Sequence, residues 1–172
     1  MLVLTDNQQV LIAGRLALIA LVIGVSVGVA ATETITMSLV VSGALAWSFV
    51  PVLHLLTGLM LVGRPTSVSV REGLERYVDL HWPWSLWILA AAALLLVVPA
   101  ARGYAEWLIL TAAVPVIWTV RLLLAYGRDV LGLPLAQARR RVAVHQIVTY
   151  AVAFMYIVTA VALWPRIVGL FT

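Results

Sequence analysis

The sequence of 172 residues contains no cysteine and no lysine, and only 10% of its residues are charged. Without cysteine the chain has no disulfide, no thiolate nucleophile and no cysteine-ligated metal. A soluble domain carries about 25% charged residues, whereas this chain is 64% hydrophobic and has a mean hydropathy of +1.10. Such a composition cannot cover a surface that faces water, which excludes a soluble enzyme, a disordered chain and a nucleic-acid-binding domain. We therefore predict an integral membrane protein.

The long hydrophobic runs predict an all-α helix bundle that crosses the membrane five times. A bilayer core of about 30 Å takes about 20 helical residues, and backbone groups in lipid must be satisfied within the helix. We interpret the first run as a retained helix rather than a signal peptide, because no positive charge precedes it and it contains Arg15. The predicted spans cover residues 10–31, 36–62, 84–100, 105–126 and 142–164.

The arginines are concentrated around two of the connections, and this asymmetry predicts the orientation. The connections 62–84 and 126–142 lie on one side of a five-span bundle, and the opposite side holds only Arg102 and Arg166. We predict that the N-terminus and both connections are cytoplasmic, that the C-terminus is outside, and that the membrane is a bacterial inner membrane. The arginines of the cytoplasmic side are expected to contact anionic headgroups or a partner chain. They are Arg64, Arg71, Arg76, Arg121, Arg128, Arg139, Arg140 and Arg141.

Several uncommon residues recur after 64 positions, which predicts a duplicated helical hairpin within a single membrane domain, residues 1–172. The first repeat covers residues 38–100 and the second covers 102–164, while the helix over 10–31 stands outside them. Two similar hairpins under the same bilayer constraints are the alternative explanation. The recurring pairs include Pro51 with Pro115, Gly63 with Gly127, Arg64 with Arg128, Arg76 with Arg140, and His81 with His145.

Small residues and prolines predict the packing of the helices. Pro51 and Pro115 each remove a backbone donor and clash with the preceding turn, so we expect helix kinks near both. Gly24 and Gly28 form a GxxxG motif, which is typical of closely packed helices and nominally of a dimerisation face.

The three histidines, His54, His81 and His145, are the candidate cofactor-binding residues. All lie toward the cytoplasmic side of the predicted bundle, and ionisable residues within a membrane usually face the bundle interior. Neutral imidazoles on facing helices ligate haem iron, so His81 with His145, or His54 with His145, predicts a bis-His haem b site. The alternative is that these histidines only make hydrogen bonds to carbonyls, lipid phosphates or carboxylates. No HExxH motif or cluster of cysteine and histidine supports a metal enzyme.

The two arginine-rich connections are predicted to contain helix. Ser69 and Glu72 match a capping box ahead of an interfacial helix over 70–80, which Pro83 is expected to separate from the next span. Pro134 suits the first position of a helix, so residues 137–141 are expected to continue into the last span. The acidic residues of the first connection are expected to pair with its arginines.

Three functions are consistent with these sequence features. The missing catalytic motifs and the short loops favour a non-catalytic subunit, scaffold or assembly factor of a membrane complex, whose partners are other membrane chains and lipid. The repeat and the mid-span prolines favour a small transporter or channel that works as an oligomer. The histidines favour a membrane electron-transfer subunit with a bis-His haem b.

Overall fold

A computed structural model describes residues 6–32, 35–63 and 68–168. The described chain is 90% helical and contains no strand, as the hydrophobic runs predicted. Eight α-helices and two 3₁₀ turns follow one another over the described ranges. They are α1 (Asp6–Thr32), α2 (Met37–Trp47), α3 (Phe49–Val62), α4 (Val70–Val78), a 3₁₀ turn (Asp79–His81), α5 (Trp82–Val97), a 3₁₀ turn (Pro99–Tyr104), α6 (Ala105–Thr111), α7 (Ala113–Asp129) and α8 (Leu135–Val168).

Three helical stretches are long and apolar enough to cross a membrane, which agrees with an integral membrane protein. They are Val40–Val62, Val70–Val97 and Leu135–Thr159, and a shorter apolar helix covers Ala17–Ala30. The predicted span 84–100 is thus part of a longer run that begins at Val70. The predicted span 105–126 is divided between α6 and α7.

Both proline-containing helices are interrupted three residues before the proline. The breaks fall at Ser48 and Ala112, which are 64 positions apart like Pro51 and Pro115 themselves. Proline lacks an N–H and its ring crowds the carbonyl four residues earlier, so the regular hydrogen-bond ladder fails at this point. Side-chain hydroxyls make hydrogen bonds to the backbone beside both breaks. Ser48 Oγ donates to the Leu45 carbonyl at 2.7 Å, and Thr111 Oγ1 donates to the Leu108 carbonyl at 2.6 Å.

The α4 helix packs into the bundle and leads almost directly into α5. Ser69 caps it, as the sequence predicted, by accepting a bond from the Glu72 amide at 3.2 Å. A 3₁₀ turn, Asp79–His81, separates α4 from α5 just before Pro83, as the sequence predicted. Pro83 lies in the first turn of α5, where a missing N–H costs no hydrogen bond.

The α1 and α2 helices approach each other at two glycines. A Cβ on Gly43 would lie 2.8 Å from the Gly24 carbonyl oxygen, so neither position has room for a side chain. Gly24 therefore serves a contact within this chain, and Gly28 lies one turn further along the same helix.

The core lies at one end of the bundle, which we call the basic end: the C-terminal parts of α3 and α7, all of α4, and the N-terminal part of α8. Tyr126 of α7 donates to the Gly73 carbonyl of α4 at 2.6 Å, and Gly127 lies against Ala138 of α8. These contacts bring both arginine-rich connections together. The core residues are Leu61, Val62, Leu74, Tyr77, Val78, Leu123, Tyr126, Leu131 and Val142.

Candidate functional site: a buried histidine and tyrosine cluster

The three histidines of the chain meet at one place beside the core. His54 comes from α3, His81 from the 3₁₀ turn after α4, and His145 from α8. Tyr77 of α4 lies among them, and Thr57 of α3 lies next to Tyr77. We call these five residues the histidine cluster.

The rings of the cluster are in direct contact. The His54 and His81 ring centroids are 4.5 Å apart in an edge-to-face arrangement, and those of His81 and His145 are 5.8 Å apart. The Tyr77 ring lies 4.8 Å from the His81 ring and 5.6 Å from the His145 ring. Tyr77 and His145 are completely buried, so this polar cluster is part of the interior.

A chain of hydrogen bonds joins α3, α4 and α8 through the cluster. Thr57 donates its only hydroxyl proton to the Leu53 carbonyl at 2.7 Å. The Tyr77 hydroxyl, 2.9 Å from Thr57 Oγ1 and 2.7 Å from His145 Nε2, therefore donates to Thr57 and accepts from His145. His145 Nδ1 then carries a lone pair and has no hydrogen-bond partner among the described residues.

His54 is oriented by the backbone of its own helix. Its Nδ1 lies 3.0 Å from the Val50 carbonyl oxygen, which can only accept, so Nδ1 carries the proton. In the neutral imidazole the lone pair is then on Nε2.

The cluster does not fit a bis-His haem. A porphyrin lies between its two axial imidazoles, whereas the His81, His145 and Tyr77 rings pack against one another with no gap for such a plane. Both predicted ligand pairs include His145, whose Nε2 is engaged by Tyr77. Across residues 6–32, 35–63 and 68–168, no group of three or more histidine, aspartate or glutamate side chains is arranged to hold a metal ion.

The predicted arginine sites divide into two groups. Arg71 pairs with Glu75 at 2.9 Å and Arg76 pairs with Glu72 at 2.7 Å. Arg141 donates from Nη1 to the carbonyls of Leu61 and Val62, at 3.2 and 3.1 Å, and so caps the C-terminus of α3. The remaining described arginines of this side are exposed, whereas Arg64 lies outside the described residues. The exposed ones are Arg121, Arg128, Arg139 and Arg140.

Sequence reasoning missed Tyr77 and Thr57 as members of the site. Helical spacing carried the signal, because Thr57 follows His54 by three residues and Tyr77 precedes His81 by four. Residues three and four apart share a helix face. His54 and His81 thus each had a hydroxyl-bearing neighbour on the same helix face.

Comparisons of this chain with protein families, curated proteins and solved structures found no match. The chemistry of the cluster therefore has to be read from its geometry. Its hydroxyl and imidazole groups can pass a proton between Thr57, Tyr77 and His145, since each adjacent pair of atoms is within 3 Å. The cluster also connects α3, α4 and α8 by hydrogen bonds.

Proposed function

We propose that this chain is a non-catalytic subunit of a membrane complex, with five spans, a cytoplasmic N-terminus and its basic end at the cytoplasmic face of a bacterial inner membrane. Three stretches already have the length and composition of spans. In the proposed arrangement α1 is a fourth span, and α6 together with α7 forms a fifth, interrupted span. Five spans place the α3–α4 and α7–α8 connections on the same side, as the contacts at the basic end require.

The duplication is part of this proposal. The interruptions at Ser48 and Ala112 are separated by 64 positions, the offset at which the sequences of the two hairpins match. The repeat-related His81 and His145 lie side by side in the histidine cluster. Two related hairpins around a pseudo-two-fold axis along the membrane normal account for both observations.

The observation that carries the proposal is the surplus of unpaired arginine at the basic end. Gly127 contacts Ala138, and Arg128 and Arg139 directly follow these two residues in α7 and α8. Both are exposed, and neither has a carboxylate partner within the described ranges. An exposed pair of like charges is suited to an acidic surface on a partner chain.

Co-purification in mild detergent tests the proposal. Arg128→Gln combined with Arg139→Gln is expected to release partner chains that accompany the native protein. Arg71→Gln combined with Arg76→Gln is the control, because it also removes two arginines but these already pair within α4. A native chain that migrates alone, or equal partner loss in both double variants, contradicts the proposal.

The histidine cluster favours proton-linked transport as a second candidate function. Histidine within a membrane commonly marks a proton path, and the hydrogen bonds from Thr57 to His145 form a short segment of one. Reconstituted protein should then conduct protons into vesicles that carry a pH-sensitive dye, and His145→Gln should abolish the flux. Flux that is unchanged in His145→Gln excludes this role for the cluster.

An absorption spectrum separates both candidates from the haem hypothesis. We expect no Soret band from the native protein, because the packed rings leave no place for a porphyrin. A Soret band that disappears in His145→Gln would reinstate the electron-transfer subunit.

A further inference from the structure

A groove between α3 and α8 at the basic end combines two arginines with apolar side chains. Its volume is about 220 Å³, and it is lined by Met60 of α3 and by Gln137, Arg140, Arg141 and Val144 of α8. Arg140 and Arg141 follow Gln137 by three and four positions and precede Val144 by four and three, so all four residues lie on one stripe of α8.

The groove presents positive charge without a compensating acid. None of its lining residues is acidic, and α8 contains no aspartate or glutamate over its whole length. Arg141 is held in place by the Leu61 and Val62 carbonyls, which engage its Nη1 atom. Its Nη2 and Nε hydrogens remain to donate to an anion, beside the exposed guanidinium of Arg140 and the Gln137 amide.

The apolar side of the groove continues toward the middle of the bilayer. Leu56 lies one helical turn deeper than Met60 on α3, and Ile147 lies one turn deeper than Val144 on α8. All four are exposed, and they belong to the spans Val40–Val62 and Leu135–Thr159. A ligand that reaches the arginines from this side must have a charged head and an apolar tail.

We infer that this groove is a binding site for an anionic phospholipid, with the phosphate on Arg140 and Arg141 and one acyl chain along Leu56, Met60, Val144 and Ile147. The groove holds about seven water-sized groups at about 30 Å³ each, which suits a headgroup, while the chain lies in the open apolar track. A free phosphate would use the arginines and leave the track without a role. This inference goes beyond the proposed subunit function, because it requires only that α3 and α8 lie in a membrane.

Native mass spectrometry of the full chain in detergent tests the site, with phosphatidylglycerol, phosphatidylcholine and inorganic phosphate added separately. We expect phosphatidylglycerol to bind most tightly, and Arg140→Gln to weaken it about tenfold, the usual effect of one charge-assisted hydrogen bond. Arg139→Gln is the matched control, because it removes the adjacent arginine, which does not line the groove.

Each outcome decides between the possible ligands. Binding of phosphatidylcholine as tight as that of phosphatidylglycerol, or equal losses in Arg139→Gln and Arg140→Gln, would overturn the site. Phosphate binding that competes with the lipid at equal concentration would assign the groove to a free anion instead. Val144→Trp fills the apolar track and leaves both arginines, so it should weaken phosphatidylglycerol and spare phosphate. The release of partner chains by Arg128→Gln combined with Arg139→Gln does not depend on lipid binding. The lipid site and the subunit function can therefore fail separately.

Discussion

The two ends of the molecule are built differently. At the basic end α3, α4, α7 and α8 bury a continuous core, with Leu123 and Tyr77 completely enclosed and hydrogen bonds running between helices. The opposite end, which we call the far end, comprises α6, the 3₁₀ turn before it, and the C-terminal part of α8. There large apolar side chains such as Leu110 and Phe154 are about two-thirds exposed.

This difference shows where a membrane protein needs its own core. Lipid covers apolar side chains as well as a neighbouring helix does, so the far end needs little internal burial. Polar groups cannot be left to lipid, because an unpaired hydrogen-bonding group in hydrocarbon is unfavourable by several kcal/mol. Tyr77 of α4 and His145 of α8 therefore lie where they can pair with each other, at the basic end.

Truncation of a core side chain is expected to give the largest difference in stability between the two ends. Leu123→Ala is expected to lower the free energy of unfolding by about 2–4 kcal/mol, because it opens a cavity where no lipid can enter. Leu110→Ala at the far end should change it much less, since lipid fills the space. Unfolding in mixed dodecyl maltoside and SDS micelles, followed by tryptophan fluorescence, measures both. Equal losses would mean that the two ends are packed alike.

Adding one methyl group gives the next largest effect. A Cβ on Gly58 would lie 2.7 Å from Cδ1 of the buried Tyr77 ring, so Gly58→Ala should destabilise the protein by about 1–3 kcal/mol through overpacking. Gly103 at the far end has nothing within 4 Å of such a Cβ, and Gly103→Ala should be close to neutral. The same unfolding experiment compares them. A neutral Gly58→Ala would show that Tyr77 can move aside.

Removal of one tyrosine hydroxyl compares the strength of a hydrogen bond at the basic end with that of one at the far end. Tyr77→Phe leaves His145 Nε2 without its partner, so we expect a loss of about 1–2 kcal/mol. Tyr156→Phe removes a single bond to the Ala46 carbonyl from a half-buried side chain, for which about 0.6 kcal/mol is typical within membranes. If Tyr156→Phe proved the more harmful, the histidine cluster would not be a stabilising element.

Substitutions on the charged face of α4 should have the smallest effect on stability. Arg76→Gln breaks an exposed pair with Glu72, which is expected to change stability by about 0.5 kcal/mol or less. Its effect should vanish in 0.5 M salt, whereas that of Leu123→Ala should persist. A larger effect that resists salt would assign Arg76 a buried role.

Local rules explain what sequence reasoning predicted correctly. The serine cap of α4 and the continuation of residues 137–141 into the last span depend on neighbours within one helical turn. The division between α4 and α5 was also predicted correctly, since Pro83 lies in the first turn of α5, where its missing N–H costs no hydrogen bond.

The candidate site was only half predictable. The histidines could be selected from sequence because ionisable residues are rare in apolar spans. Their direct contact could not, since residues 54 and 145 belong to helices far apart in the chain. The contact of Arg141 within the chain could not be predicted either. The sequence predicted a contact with lipid or a partner, and the structure shows that Arg141 also caps α3 by donating to the carbonyls of Leu61 and Val62.

The amino-acid sequence by itself determined that this chain is helical and belongs in a membrane, because hydropathy and the need to satisfy the backbone in lipid act on each segment separately. Only the tertiary structure decided that the histidines, Tyr77 and Thr57 form one buried cluster, that Gly24 packs against Gly43, and that an arginine pair opens onto an apolar groove. These contacts depend on how helices dock. Docking is governed by the shapes of facing side chains, which apolar runs of similar composition do not specify.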